Sequence, residues 1–130
     1  MAHAVSDIRI KRVYDPPAKD DGVRVLVDRL WPRGLRKENA AVTLWLKEIA
    51  PSAELRKWFG HDPARWTEFS RRYRAELVHN KEAVAQLVAL SARGPVTLVY
   101  GAHDIEHNHA LVLADYLRTH RKGAHGHHSA

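Results

Sequence analysis

A run of charged and aromatic side chains directly follows the apolar segment 25–27 (VLV). The run contains an aspartate, two arginines and a tryptophan: Asp28, Arg29, Trp31 and Arg33. Guanidinium groups bind phosphates and carboxylates through paired hydrogen bonds, and an indole ring stacks on flat groups. We therefore predict a site for a small anionic, nucleotide-like ligand. The two arginines would hold the anion, with Asp28 beside them, and Trp31 would form a wall.

The same residues also allow a purely structural interpretation. Arg29 could pair with Asp28 or Glu48, and Trp31 could fill the core beneath its own loop. The irregular stretch 28–42 is long for a loop in a compact domain, and loops of this length often carry function. Both interpretations stay open at the level of the sequence.

A second polar cluster follows the apolar, β-branched segment 96–100 (VTLVY). Histidine titrates near neutral pH, and a neighbouring carboxylate can orient its ring. We therefore predict that His107, oriented by Asp104 or Glu106, carries protons in an acid–base reaction. Three further side chains of this cluster are predicted to contact the ligand: Tyr100, Asn108 and His109.

The second cluster has two other interpretations. His103, His107 and His109 could hold a divalent metal ion with the two carboxylates, but their spacing matches no standard zinc motif, and we expect no cofactor. Alternatively, Asn108 caps the helix that follows, and the acidic residues stabilise the N-terminus of that helix.

Alternating strand and helix patterns predict the elements that position both clusters. Apolar segments at 8–14, 23–27 and 96–100 indicate strands, and the ambiguous segment 43–49 is interpreted as a short strand. Apolar spacings of three and four residues indicate helices that begin after the predicted N-caps Ser52, Asp62, Asn80 and Asn108, the last of them at 110–118. Trp58 and Phe59 are predicted core residues, and His61 belongs to a cap.

These patterns predict an α/β fold: a single small layered domain whose mostly parallel sheet is flanked by helices. Ligands bind outside the carboxyl ends of the strands in such sheets. Both polar clusters follow strand ends, so we predict that they share one pocket.

The composition limits the classes of function. The chain has 130 residues, of which 45% are apolar and 28% charged, as expected of one globular domain. It has no cysteine, which excludes disulfides, thiolate nucleophiles and cysteine-based zinc sites. The net charge of +6 is spread along the chain, so nucleic-acid binding or regulation is an alternative to the small anionic partner. A structural or interaction protein without a chemical site is the second alternative.

The chain carries no apolar run near the roughly 18 residues of a membrane span and no signal-peptide pattern. We therefore expect a cytoplasmic protein without a membrane partner. Residues 1–6 and the His-containing residues 120–130 are predicted to be flexible, on either side of a domain at 7–119. The sequence leaves open the oligomeric state, the reaction, and whether the protein is an enzyme.

Three blocks of sequence carry a family resemblance: residues 24–34 (RVLVDRLWPRG), residues 55–63 (LRKWFGHDP), and residues 96–100 (VTLVY) followed by 106–110 (EHNHA). In type, order and spacing they resemble the DUF488 family of small bacterial proteins, in its YeaO-like group. The resemblance covers about residues 7–119. It implies a compact α/β domain, and it implies no assigned activity.

Overall fold

Four parallel strands form one sheet in the computed structural model, which describes residues 8–128 and their side chains as far as Thr119. The strands are β1 (Ile8–Arg12), β2 (Val23–Leu26), β3 (Leu44–Trp45) and β4 (Val96–Tyr100), and their order in the sheet is β1-β4-β2-β3. The α-helices are α1 (Lys37–Ala40), α2 (Ala53–Phe59), α3 (Trp66–His79), α4 (Lys81–Arg93) and α5 (His109–His128). The predicted single α/β domain is confirmed.

Strand β4 lies at the centre of the sheet, between β1 and β2. It pairs with β1 from Ile8 opposite Val96 and with β2 from Val23 opposite Val96. The chain leaves β2 towards β3, whereas α5 leaves β4 and packs back on β1. Adjacent strands whose connections run in opposite directions leave a crevice at their carboxyl ends, where α/β proteins bind ligands.

The helices α2 to α5 cover one face of the sheet. Side chains alternate along a strand, so Val25, Val27 and Leu98 point to this face and are fully buried there. Phe69 and Tyr73 of α3 pack against them. This core fixes the helices that stand next to the carboxyl ends of the strands.

The loop at 28–42 covers the opposite face, where Leu26 and Val99 are fully buried. Arg24 is also buried on this face and pairs with Asp21 at 2.8 Å. The Arg24 guanidinium donates further hydrogen bonds to the carbonyl oxygens of Ala40 and Ala41. The buried arginine therefore ties the end of this loop to the sheet.

Local signals predicted the starts of α2 and α5 correctly, and the predicted cap Asp62 begins a 3-10 turn, Pro63–Arg65, directly before α3. Ser52 Oγ accepts a hydrogen bond from Leu55 N at 3.1 Å, and Asp62 Oδ1 accepts one from Ala64 N at 3.0 Å. Asn108 Oδ1 accepts one from Leu111 N at 3.2 Å. The side-chain cap predicted for Asn80 is wrong, because its Nδ2 donates to the carbonyl oxygen of Glu48 instead.

The predicted strand at 43–49 is confirmed only at Leu44–Trp45, and a 3-10 turn, Lys47–Ile49, follows it. Strand β2 is the partner of β3 and ends at Leu26. Leu46 N donates to the carbonyl oxygen of Leu26, and beyond this bond β3 has no strand to pair with. The last helix continues past the predicted end at Arg118. The predicted flexible segments 1–6 and 120–130 lie outside the residues whose side chains are described.

Candidate functional site

A cavity of about 1040 Å³ lies at the carboxyl ends of β2 and β4. The loops that follow these two strands form half of its lining. The other half comes from α2 and the residues next to it, from the first residue of α5, and from Phe69 of α3. Most of the residues predicted for the site line this cavity: Asp28, Arg29, Arg33, Asp104, His107, Asn108 and His109. Two stretches far apart in the chain therefore meet at one cavity.

Three residues predicted for the site do not line the cavity. Trp31 packs edge-on against Trp45 beneath the loop, with ring centroids 5.5 Å apart, and its Nε1 donates to the carbonyl oxygen of Leu35. Tyr100 is 3% exposed and belongs to the helix-face core, where burial raises the pKa of its hydroxyl. Glu106 is exposed to solvent.

Helix α2 supplies cavity residues that were not among those predicted from the sequence. Ala53, Arg56 and Lys57 follow the i, i+3, i+4 spacing of one helix face, and all three line the cavity. This spacing could have indicated from the sequence that the three residues share one face of α2. Phe59 is a core residue as predicted, and it also lines the cavity, as does Phe69. The aromatic surface of the site therefore comes from the helices and not from Trp31.

His61 and His103 also line the cavity. His61 follows the end of α2 at Gly60 in a left-handed backbone conformation, with φ 58°. Its predicted place near a cap is correct, but the cap itself is made by Asp62. His103 lies in the loop after β4, and both histidines are exposed.

Two arginines at the cavity carry buried atoms without partners. Arg29 Nε and Arg56 Nε are buried and form no hydrogen bond with any residue that the structure describes. The sequence allowed Arg29 to pair with Asp28 or Glu48, but neither pair forms in the part of the chain that the structure describes. Buried donors without partners are rare in proteins, because each loses its hydrogen bonds to water and regains nothing.

Asp28 connects the two loops that follow β2 and β4. Its Oδ2 accepts a hydrogen bond from Gly101 N at 2.9 Å. Its Oδ1 is buried and has no hydrogen-bond donor among the described residues, although His109 Nε2 lies 3.3 Å away. That nitrogen is 3.0 Å from the carbonyl oxygen of Val27, which can only accept, so it carries its hydrogen towards Val27.

Asp104 holds the ring of His107. Its Oδ2 lies 3.0 Å from His107 Nδ1, and its Oδ1 accepts hydrogen bonds from the backbone N–H groups of Glu106 and His107. These bonds, led by the one from Glu106 N, lower the pKa of the Asp104 carboxyl. Of the two carboxylates predicted to orient His107, Asp104 does so. The predicted acid–base role of this pair stays a prediction.

Neither a metal centre nor a membrane span is evident in the part of the chain that the structure describes. Among the side chains described, those of residues 8–119, no group of three or more His, Asp or Glu could hold a metal ion. None of the helices described there is long and apolar enough to cross a bilayer.

Comparison with known proteins identifies relatives along nearly the whole chain. Residues 7–129 match the family model DUF488-N3i, described as the inactive DUF488-N3 subclade. The chain is similar to the uncharacterized protein YeaO of Escherichia coli K12, with 47% identity over 113 residues, which cover 87% of this chain and 98% of that protein. It is also similar to the uncharacterized protein Rv3073c of Mycobacterium tuberculosis H37Rv, with 47% identity over 85% of this chain and 92% of that protein. No solved structure matches the chain.

Proposed function

The chain belongs to the DUF488 family, and from this premise we propose that it binds a small phosphorylated ligand without transforming it. The matching family model describes an inactive subclade, which favours binding over turnover. The ligand would occupy the cavity at the carboxyl ends of β2 and β4, with its anionic group between the arginines.

One observation carries this proposal: the buried Nε atoms of Arg29 and Arg56 lack partners at one cavity. Burying a hydrogen-bond donor without a partner costs about 1–3 kcal/mol. An anion at this point would restore the lost hydrogen bonds and offset the charge. Arg33 and Lys57 line the same cavity and add to its attraction for anions.

The cavity also has the size and the apolar surface of a small-molecule site. Its volume of about 1040 Å³ matches the upper range for such sites. Phe59 and Phe69, which are mostly buried in the core, contribute aromatic atoms to the lining, and Ala50 and Pro51 add further apolar atoms. A charged group joined to a ring or other carbon skeleton, as in a nucleotide or a sugar phosphate, fits this combination.

The test is a binding screen by thermal shift and calorimetry with inorganic phosphate, nucleotides and sugar phosphates. We expect Arg29→Gln and Arg56→Gln each to weaken binding by about ten-fold or more, because a hydrogen bond to a charged group is lost. Arg93→Gln removes an exposed arginine in the last turn of α4 and should bind like the wild type. Unchanged affinity in both cavity variants, or no binding by any compound, would contradict the proposal.

Acid–base catalysis is the second candidate, favoured by the contact between His107 and Asp104. The same compounds can be followed by phosphorus and proton NMR over hours. Product formation that His107→Gln abolishes would replace the binding proposal with this one. Nucleic-acid binding and a purely structural role stay predictions of the sequence.

A further inference from the structure

We propose that the ligand is a hydroxyl-bearing phosphate ester, such as a sugar phosphate, whose hydroxyl donates a hydrogen bond to Asp28 Oδ1. This inference rests on the proposed function and narrows its ligand class. The atom concerned is an acceptor without a partner, whereas the arginine atoms of the proposed function are donors. Residues that line the cavity carry both kinds of buried atom without a partner.

The carboxylate of Asp28 is held by one oxygen only. Gly101 N fixes Oδ2, and a side chain at position 101 would crowd this oxygen, since an added Cβ would lie 3.1 Å from it. The position of Oδ1 follows from that of Oδ2 because the carboxylate is planar. Oδ1 is therefore a fixed, buried acceptor just beneath the cavity lining, and a ligand donor would reach it by displacing part of that lining.

His109 does not satisfy this acceptor. Its Nε2 lies 3.0 Å from the carbonyl oxygen of Val27 and 3.3 Å from Asp28 Oδ1, and it has one hydrogen to donate. The Val27 oxygen is the nearer atom. A buried carboxylate oxygen without a donor costs free energy, and a donor on the ligand would recover it.

The cations around Asp28 determine which donor fits. Arg29, Arg33, Arg56 and Lys57 line the same cavity and outnumber its carboxylates, which are Asp28, Glu54 and Asp104. The lining therefore carries a net positive charge, which disfavours an ammonium group on the ligand. A neutral hydroxyl donates the same hydrogen bond without this repulsion. The hydroxyl must lie close to the anion that the arginines hold, and phosphate esters of sugars and other polyols have both groups.

Matched ligands test the inference on the unmodified protein. Calorimetry would compare glycerol 3-phosphate with propyl phosphate, which has the same carbon chain without the hydroxyls, and with phosphoethanolamine, which carries an ammonium group. We expect glycerol 3-phosphate to bind about ten-fold more tightly than either, the factor expected of a hydrogen bond to a charged group. Inorganic phosphate should bind as weakly as propyl phosphate.

The variant Asp28→Asn tests the acceptor itself. Its amide oxygen can keep the hydrogen bond from Gly101 N, and its amide nitrogen then replaces the acceptor with a donor. The preference for glycerol 3-phosphate over propyl phosphate should fall below about two-fold, while inorganic phosphate still binds. Asp20→Asn is the matched control. It makes the same change of charge in the turn before β2, at the end of that strand away from the cavity, and should keep the preference for glycerol 3-phosphate.

Each other result counts against a defined part of the proposal. Equal binding of glycerol 3-phosphate and propyl phosphate by the wild type would overturn the hydroxyl assignment and leave anion binding intact. Tighter binding of phosphoethanolamine would overturn the choice of hydroxyl over ammonium. Absence of binding by all four compounds would overturn both this inference and the proposed function. If Asp28→Asn fails to fold, the ligand comparison on the wild type decides alone.

Discussion

Gly101 lies where the loops after β2 and β4 touch. A Cβ at this position would lie 3.1 Å from Asp28 Oδ2, which is closer than side chains normally approach, and it would touch Pro32 Cβ at 3.4 Å. The absence of a side chain at position 101 thus lets the backbone N–H reach the carboxylate. A single hydrogen bond then connects the two halves of the cavity.

We predict that Gly101→Ala destabilises the fold by about 1 kcal/mol, because the Asp28 carboxylate or Pro32 must move to make room. It should also weaken ligand binding, since the same movement displaces Asp28 Oδ1. Urea denaturation followed by fluorescence measures the first effect. Gly94→Ala is the matched control, as an added Cβ there meets nothing within 4 Å. Equal stability of the two variants would contradict the prediction.

Among single residues, the sequence located the polar side chains of the site better than the aromatic ones. Asp28, Arg29 and His107 follow strand ends, and the edge of a parallel sheet brings such residues together whatever the details of their loops. Trp31 is different, because an indole after a strand can turn to either face of the sheet. The packing of Trp31 against Trp45 decides this, and Trp45 lies in a strand that the sequence defined poorly.

Helix α2 is the element that carries Arg56 and Lys57 to the cavity, and Ser52 fixes its start. Ser52 Oγ caps the helix at Leu55 N and donates to Glu76 Oε2 at 2.6 Å. Ser52 N donates to the other oxygen of the same carboxylate at 2.8 Å. One serine thus joins the start of α2 to the last turn of α3.

We predict that Ser52→Ala lowers the free energy of unfolding by about 1–2 kcal/mol, the usual cost of a lost N-cap. Ligand affinity should fall as well, because α2 loses part of its attachment beside the cavity. Ser70→Ala, which changes a half-buried serine of α3, should alter stability by less than about 0.5 kcal/mol. Chemical denaturation and calorimetry of both variants measure these effects, and equal losses in the two would contradict the assignment.

Among the elements, helix caps whose partners are close in sequence could be predicted, whereas contacts between distant residues could not. Ser52, Asp62 and Asn108 form caps with backbone groups two or three residues away, so their roles follow from neighbouring sequence. Asn80 occupies the same kind of position, but its amide binds a carbonyl oxygen 32 residues away. No pattern within a helix reveals such a partner. The order of the strands, with β4 between β1 and β2, depends on equally distant contacts.

The whole molecule should lose stability in acid through Asp21. Burial alone would raise the pKa of this carboxyl, but hydrogen bonds from Ala18 N, Lys11 and Arg24 outweigh it and lower the pKa to about 2 from 3.8. A carboxyl with a lowered pKa in the folded state stabilises the fold above its unfolded pKa. That contribution is lost as the pH falls from about 4 towards 2.

We therefore predict that Asp21→Asn is less stable than the wild type at pH 7, by on the order of 1–2 kcal/mol, and that this difference narrows below about pH 4. Urea denaturation of both proteins at several pH values between 2 and 7 measures it. Asp20→Asn changes the neighbouring, exposed carboxylate and should follow the wild-type pH dependence. A difference that stays constant down to pH 2 would contradict the role given to Asp21.

The central position of β4 has a consequence for biosynthesis. Asp28 and Gly101, which join the two halves of the cavity, are 73 positions apart, and β4 must enter between two strands made long before it. Contacts between residues so distant in sequence form late and slowly during folding. A nascent chain on the ribosome therefore cannot bind its ligand before the last quarter of the polypeptide has emerged. Ligand binding would then distinguish a nearly complete chain from a shorter one.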